Sequence, residues 1–322
     1  MRHIPISAID EAARHVYELA VRTPLIRLDL PYSLSSAERA PEVYLKLESL
    51  QPIGSFKIRG AWNAVRQLAP DQLREGVWTV SAGNAAQGVA LAARRAGAAC
   101  SVMVMDTAPQ TKLRAIERLG ATIVSATYDE CWKTVESHAS ARMHGHFVHP
   151  FDDDAFIAGN GTAGLEILED LPDVDAVVAS LGGGGLLAGI GSVMHARRPR
   201  VRVYAAEPAT ASPLATSLAR DEASYFNGWT PSFVDGAGGK SVLPTMWPLL
   251  RALVTESIVV SLEEVASAMR LTADRVHVVA EGAAGCAIAA ALSGRAGNGK
   301  IVAVVSGGNI DLSKFAQIVG AG

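Results

Sequence analysis

Short runs of branched apolar residues alternate with longer alanine-rich stretches along most of the chain. The short runs, at 43–47, 77–80, 101–105, 122–125, 176–180, 201–205 and 301–305, have the length and β-branched content of buried strands. Among the longer stretches, 58–68, 85–96, 109–119, 155–168 and 186–195 read as helices. This alternation predicts βαβ units, and so an α/β fold with mostly parallel sheets flanked by helices. Residues 208–243, rich in Gly, Pro, Ser and Asn without a clear period, read as loop.

The 322 residues are 49% hydrophobic and 19% charged, enough apolar material for one large domain or two medium ones. A formal net charge of -3 advertises no broad basic face, which argues against nucleic acid and anionic lipid as partners. Residues 176–194 carry no charge, but four consecutive glycines at their middle suit a strand, a turn and a helix better than a membrane span. Cys100, Cys131 and Cys286 are odd in number and far apart, with neither disulfide nor metal-ligand spacing. With no apolar leader core at the N-terminus, the expected location is cytoplasmic and the expected partner a small molecule.

Ligands of open α/β sheets sit at the carboxyl ends of strands, and four polar or glycine-rich turns fall there. In Gly54-Ser55-Phe56-Lys57-Ile58-Arg59-Gly60, Ser55 reads as an N-cap that places Lys57 in the first helical turn. The helix dipole disfavours an ammonium there and favours the neutral amine that a Schiff-base lysine needs. The plain alternative is a solvated helix lysine. Gly182, Gly183, Gly184 and Gly185 would turn backbone N–H groups and a helix N-terminus toward an anion such as a phosphate. Nicotinamide binding fails on its fingerprint, because Leu186 and Leu187 fall on required glycine positions. Without a functional role, the run is a tight strand–helix turn. Ser81-Ala82-Gly83-Asn84 offers donors for a carboxylate, with Asn84 either a helix cap or a ligand for a phenolic oxygen. Ser306, in Ser306-Gly307-Gly308-Asn309, is either a turn residue or the partner of a ring nitrogen.

In order and spacing these four segments resemble the serine/threonine dehydratases and serine racemases. Thr23-Pro24-Leu25, His149-Pro150-Phe151 and Ala158-Gly159-Asn160-Gly161-Thr162 match as well, so the resemblance runs over about residues 5–315. These are pyridoxal 5'-phosphate (PLP) enzymes of the tryptophan-synthase-β fold, fold type II. The resemblance implies Lys57 as catalytic residue and Schiff-base carrier, Phe56 against the ring, and Asn84 at its phenolic oxygen. It places Gly182, Gly183, Gly184 and Gly185 at the phosphate and Ser306 at the ring nitrogen. Ser81, Ala82, Gly83, Asn84 and Ala85 would surround the substrate carboxylate. The implied reaction dehydrates and deaminates a β-hydroxy-α-amino acid to a 2-oxo acid and ammonia. The implied architecture is a large PLP-binding domain, 1–73 with 149–322, and a small mobile α/β domain, 74–148, in a homodimer.

The sequence departs from the family at informative places. Ala82 stands where the racemases carry a proton-transferring serine, which counts against racemisation. Ala85 stands where many relatives place a histidine beside the substrate, leaving room for a larger β-substituent such as an aryl or carboxyalkyl group. Substrates bulkier than serine or threonine, such as 3-phenylserine or a hydroxylated diamino acid, are among those expected. Glu207 and Ala211 match a metal site whose second acid is here Pro213, so no metal is expected. The spacing of His144, His146 and His149 suits a surface or turn better than a metal site. Cysteine-synthase-type β-replacement is the nearest alternative, although Ile58 follows the lysine where those enzymes usually place Asn. A racemase or a PLP-binding protein without turnover are further alternatives.

Overall fold

The computed structural model describes residues 2–30 and 41–320. Of the two expected domain spans, residues 1, 31–40 and 321–322 lie outside the described residues. The described strands, in chain order, are β1 Leu25–Arg27, β2 Glu42–Lys46, β3 Val77–Val80, β4 Cys100–Met105, β5 Thr122–Ala126, β6 His146–Phe147, β7 Ala176–Ser180, β8 Arg202–Pro208, β9 Glu256–Val260 and β10 Lys300–Val304. They form two sheets. One has the order β1-β2-β10-β7-β8-β9 and the other β5-β4-β3-β6. Every pairing is parallel except the short edge pair of β1 with β2.

All seven strands expected from the sequence are present. The three not anticipated, β1, β6 and β9, are two edge pieces of two or three residues and an edge strand that begins with polar residues. The uninterrupted apolar character of β7 follows from its position. Val177 and Ala179 face one core while Ala176 and Val178 face the other, so both faces are covered. Residues 208–243 are not all loop, since Pro213–Arg220 is a helix with Pro at its first position. No helix among the described residues is long and apolar enough to cross a membrane.

The Lys57–Val65 helix packs between the Asn84–Ala96 and Asp154–Asp170 helices, and so links the surroundings of the two sheets. Beneath it lies a charge network of Lys46, Glu48, Arg59 and Glu166, each 0% exposed. The Arg59 guanidinium donates to Glu48 and Glu166 from its Nε and both Nη groups, at 2.6–2.9 Å. Lys46 Nζ lies 2.6 Å from Glu166 Oε2 and also donates to the Thr23 carbonyl. Two cations and two anions thus cancel, and the fork geometry of arginine satisfies both carboxylates. This network fixes the helix that begins with Lys57.

Candidate active site

The four turns converge on one cavity of about 540 Å³, lined by every site residue expected from the sequence. Phe56, Lys57, Asn84, the four glycines Gly182 to Gly185 and Ser306 meet there with Ser81, Ala82, Gly83 and Ala85. Strand ends explain the convergence. β3 runs into Ser81, β7 into the glycine run and β10 toward Ser306, so parallel strands deliver their turns to one side.

Lys57 is the first residue of its helix, but Ser55 is not its cap. The N-cap position is Phe56, and the buried Ser55 hydroxyl has no hydrogen-bond partner among the described residues. Ser55 instead forms a backbone bridge with Gly307, while the Phe56 N–H donates to the Ser306 carbonyl. These bonds tie the lysine turn to the serine turn. Lys57 Nζ donates to the Pro150 carbonyl at 2.5 Å and sits about 5 Å from the rings of Phe56 and Phe156. Its side chain reaches the cavity, yet no carboxylate lies within ion-pair distance among the described residues. Burial among aromatic and backbone groups lowers its pKa to about 7.

The glycine run opens the Gly185–Arg197 helix. Gly184 adopts φ +93°, a left-handed conformation that other residues avoid. A Cβ on Gly183 would fall 2.0 Å from the Phe151 ring. Backbone can therefore come close to a ligand here, while side chains cannot. That is the cradle a phosphate needs.

Asn84 begins the Asn84–Ala96 helix without capping it; the N-cap residue is Gly83, and no side chain caps this end. The Asn84 Nδ2 donates to Glu281 Oε1 at 2.8 Å, and its Oδ1 accepts from Asn309 Nδ2 at 2.7 Å. Glu281 is a buried cavity residue that the sequence alone did not single out. Burial, followed by the nearby Asp235 charge, raises its pKa to about 7. One signal was available: a lone acid at the start of the otherwise uncharged Gly282–Leu292 helix. The cavity wall formed by Met103, Met105, Tyr128, Cys131, Trp132 and Val135 is largely apolar, and Ala85 adds only a methyl group.

The residues that match the family's metal site do not fit a metal. Glu207 accepts from the N–H groups of Leu214 and Ala215 and from the Ser257 hydroxyl, so it anchors the Pro213–Arg220 helix. Its pKa rises to about 7 because it is buried. The three histidines do not form a ligand set either. His144 is exposed, whereas His149 is buried with Nδ1 accepting from two backbone N–H groups and Nε2 against the Val135 carbonyl. His149 also lies near His138 and Asp152, but Asp152 is engaged by Arg2 and Thr245.

A sequence profile described as pyridoxal-phosphate dependent enzyme matches residues 16–307. The L-threonine ammonia-lyase of Thermotoga maritima is 38% identical over 99% of this chain and 79% of its own length. The catabolic L-threonine dehydratase of Staphylococcus aureus is 34% identical over 98% of this chain and 92% of its own. Among solved structures, maize serine racemase superposes with a TM-score of 0.88 at 30% identity, covering 99% of this chain and 98% of that one. A PLP-dependent aspartate racemase gives 0.86 at 29% identity, over 98% of each chain.

Proposed function

The chain belongs to the pyridoxal-phosphate-dependent enzymes, in the line of the serine/threonine dehydratases and serine racemases, and on that basis we propose that it is an ammonia-lyase acting on a β-hydroxy-α-amino acid. The observation that carries this reading is the meeting of a desolvated Lys57, the glycine cradle, Asn84 and Ser306 in one cavity. The residues fit the cofactor. Lys57 supplies an amine that is partly neutral at physiological pH, and Gly183 and Gly184 supply the side-chain-free cradle. When bound, PLP supplies a conjugated ring that accepts the electron pair left on the substrate α-carbon.

The chain's own groups do the rest. Backbone and side-chain donors of the Ser81–Ala85 turn receive the substrate carboxylate. Lys57 Nζ, with a pKa near the working pH, removes the α-proton. Ser306, a neutral residue lining the cavity, would meet the ring nitrogen and could not hold a proton there as a carboxylate would, which favours β-elimination over transamination. Loss of the α-proton and the β-hydroxyl releases water, and hydrolysis of the resulting product takes water back to give a 2-oxo acid and ammonia.

The proposed substrate has a β-substituent larger than that of serine or threonine. Ala85 and the apolar wall running from Met103 to Val135 support this. The proposed architecture is two domains, 1–73 with 149–322 and 74–148, with the cavity between them, in a cytoplasmic homodimer. The test is 2-oxo acid release from serine, threonine, 3-hydroxyaspartate and 3-phenylserine isomers, with Lys57→Ala as control. Release that is fastest from 3-phenylserine and lost in the control is the expected result. Release from serine or threonine alone removes the bulky-substrate reading. No release from any of them, with cofactor still bound, sinks the dehydratase reading and favours β-replacement.

A further inference from the structure

An asparagine amide has two nearly equal ends, and which end faces a ligand depends on its neighbours. Around Asn84 the neighbours leave one answer. The Ile53 carbonyl can only accept, so the group that reaches it from Asn309 at 2.7 Å is the amide nitrogen. The same nitrogen lies 2.7 Å from Asn84, which must therefore present its oxygen. The Asn84 nitrogen then faces Glu281 Oε1 at 2.8 Å, while Glu281 Oε2 accepts from the Asn309 backbone N–H at 3.2 Å. Both Glu281 oxygens thus act as acceptors. One Asn84 N–H remains for the cavity, which Asn84 lines.

We propose that Glu281 is a positioning residue, whose carboxylate fixes the Asn84 amide with an N–H donor turned toward the cofactor's ring oxygen. This rests on the reading of Asn84 as a cofactor contact. The packing supports a dedicated role. A Cβ on Gly307 would fall 2.6 Å from Glu281 Oε1 and 3.1 Å from Asn84 Nδ2, so a larger residue in the serine turn would displace this pair of side chains. Few groups compete for the carboxylate. Asp235 repels it and Lys112 attracts it, and these two are paired with each other. A glutamine at position 281 would turn an amide NH₂ against either Asn84 or the Asn309 N–H, breaking the chain of donors and acceptors at one end.

The test uses the full chain freed of cofactor and titrated with pyridoxine 5'-phosphate. This probe keeps the ring hydroxyl and phosphate but carries an alcohol that cannot form a Schiff base with Lys57. Dissociation constants are compared for the native chain, Glu281→Gln, Asn84→Ala and the double variant, each checked for a cooperative melt. Each single substitution is expected to weaken binding about tenfold. The double variant should bind no worse than Asn84→Ala alone. Native affinity in Glu281→Gln, or losses that multiply in the double variant, would overturn the proposal. An unaffected Asn84→Ala would overturn it too, while covalent capture of PLP by that variant would leave the enzyme reading standing. If Glu281→Gln does not fold, Asn309→Ala probes the same chain of bonds from its other end and is expected to couple to Asn84 in the same way.

Discussion

Arg59 and Lys57 stand two residues apart on one helix, and the protein treats their charges in opposite ways. Arg59 is buried between two carboxylates, which hold its charge more firmly than in water despite the opposing effect of burial. Glu166, although burial pushes the other way, is held below the usual carboxylate range by Arg59 and Lys46. Lys57 is given aromatic faces and one carbonyl, with no anion beside it among the described residues, and its amine falls toward neutrality. Burial alone therefore does not decide whether a charge survives; the partner does. One turn of helix thus carries both a fixed charge that anchors the backbone and a labile proton suited to chemistry.

Substitutions at the two positions should separate these roles. The largest effect is expected from Lys57→Met, which removes the amine and should reduce 2-oxo acid formation to background. At neutral pH the folded chain should lose no stability and should gain some, because a desolvated amine with no anion beside it among the described residues is gone. A marked loss of urea stability would show that Lys57 is structural after all. Arg59→Met should do the reverse in kind, leaving Glu48 without a cation and Glu166 with Lys46 alone, at a cost of about 3–5 kcal/mol in urea unfolding. A loss under about 1 kcal/mol would mean that the network does not anchor the helix.

A pH series sharpens the contrast. The Lys57 pKa is about 7 in the folded chain, against an ordinary value of 10.5. Between those values the unfolded chain binds more protons. Native stability relative to Lys57→Met should therefore rise with pH by up to about 1.4 kcal/mol per unit, and should stay flat below pH 7. A difference that is flat across the whole range would place the amine pKa near its ordinary value. The smallest effect is expected from Ala85→His, which leaves both charges alone and narrows the cavity. It should shift kcat/KM about tenfold toward serine over 3-phenylserine.

The sequence was most legible where a local rule was enough. Branched apolar runs located seven strands, and short glycine- or serine-bearing motifs located all four turns, because strand length and turn chemistry are encoded within a few residues. It was least legible where side chains choose distant partners. Ser55 and Asn84 both looked like caps, yet Asn84 spends its amide on Glu281 and Asn309, which lie 197 and 225 positions further along the chain. Arg59 sits within the lysine motif, but its partner Glu166 is 107 residues on, so pairing could not be read locally. Helix Pro213–Arg220 was hidden by its Pro, Ser and Thr content, and the buried Glu207 that holds its first turn lies outside any helical pattern.

The placement of β10 has a consequence for the order in which the molecule is made. This strand, from Lys300 to Val304, lies between β2 and β7, although both of them are synthesised much earlier. The four-stranded sheet comes from one continuous stretch, Val77 to Phe147, and can pair its strands as soon as that stretch has emerged. The six-stranded sheet must wait, with the inner edges of β2 and β7 open, until nearly the whole polypeptide exists. Ser306 follows β10 directly, so the last strand to arrive both closes the sheet and completes the cavity. A chain halted before residue 300 would carry Lys57 and the glycine turn without the strand that brings them together.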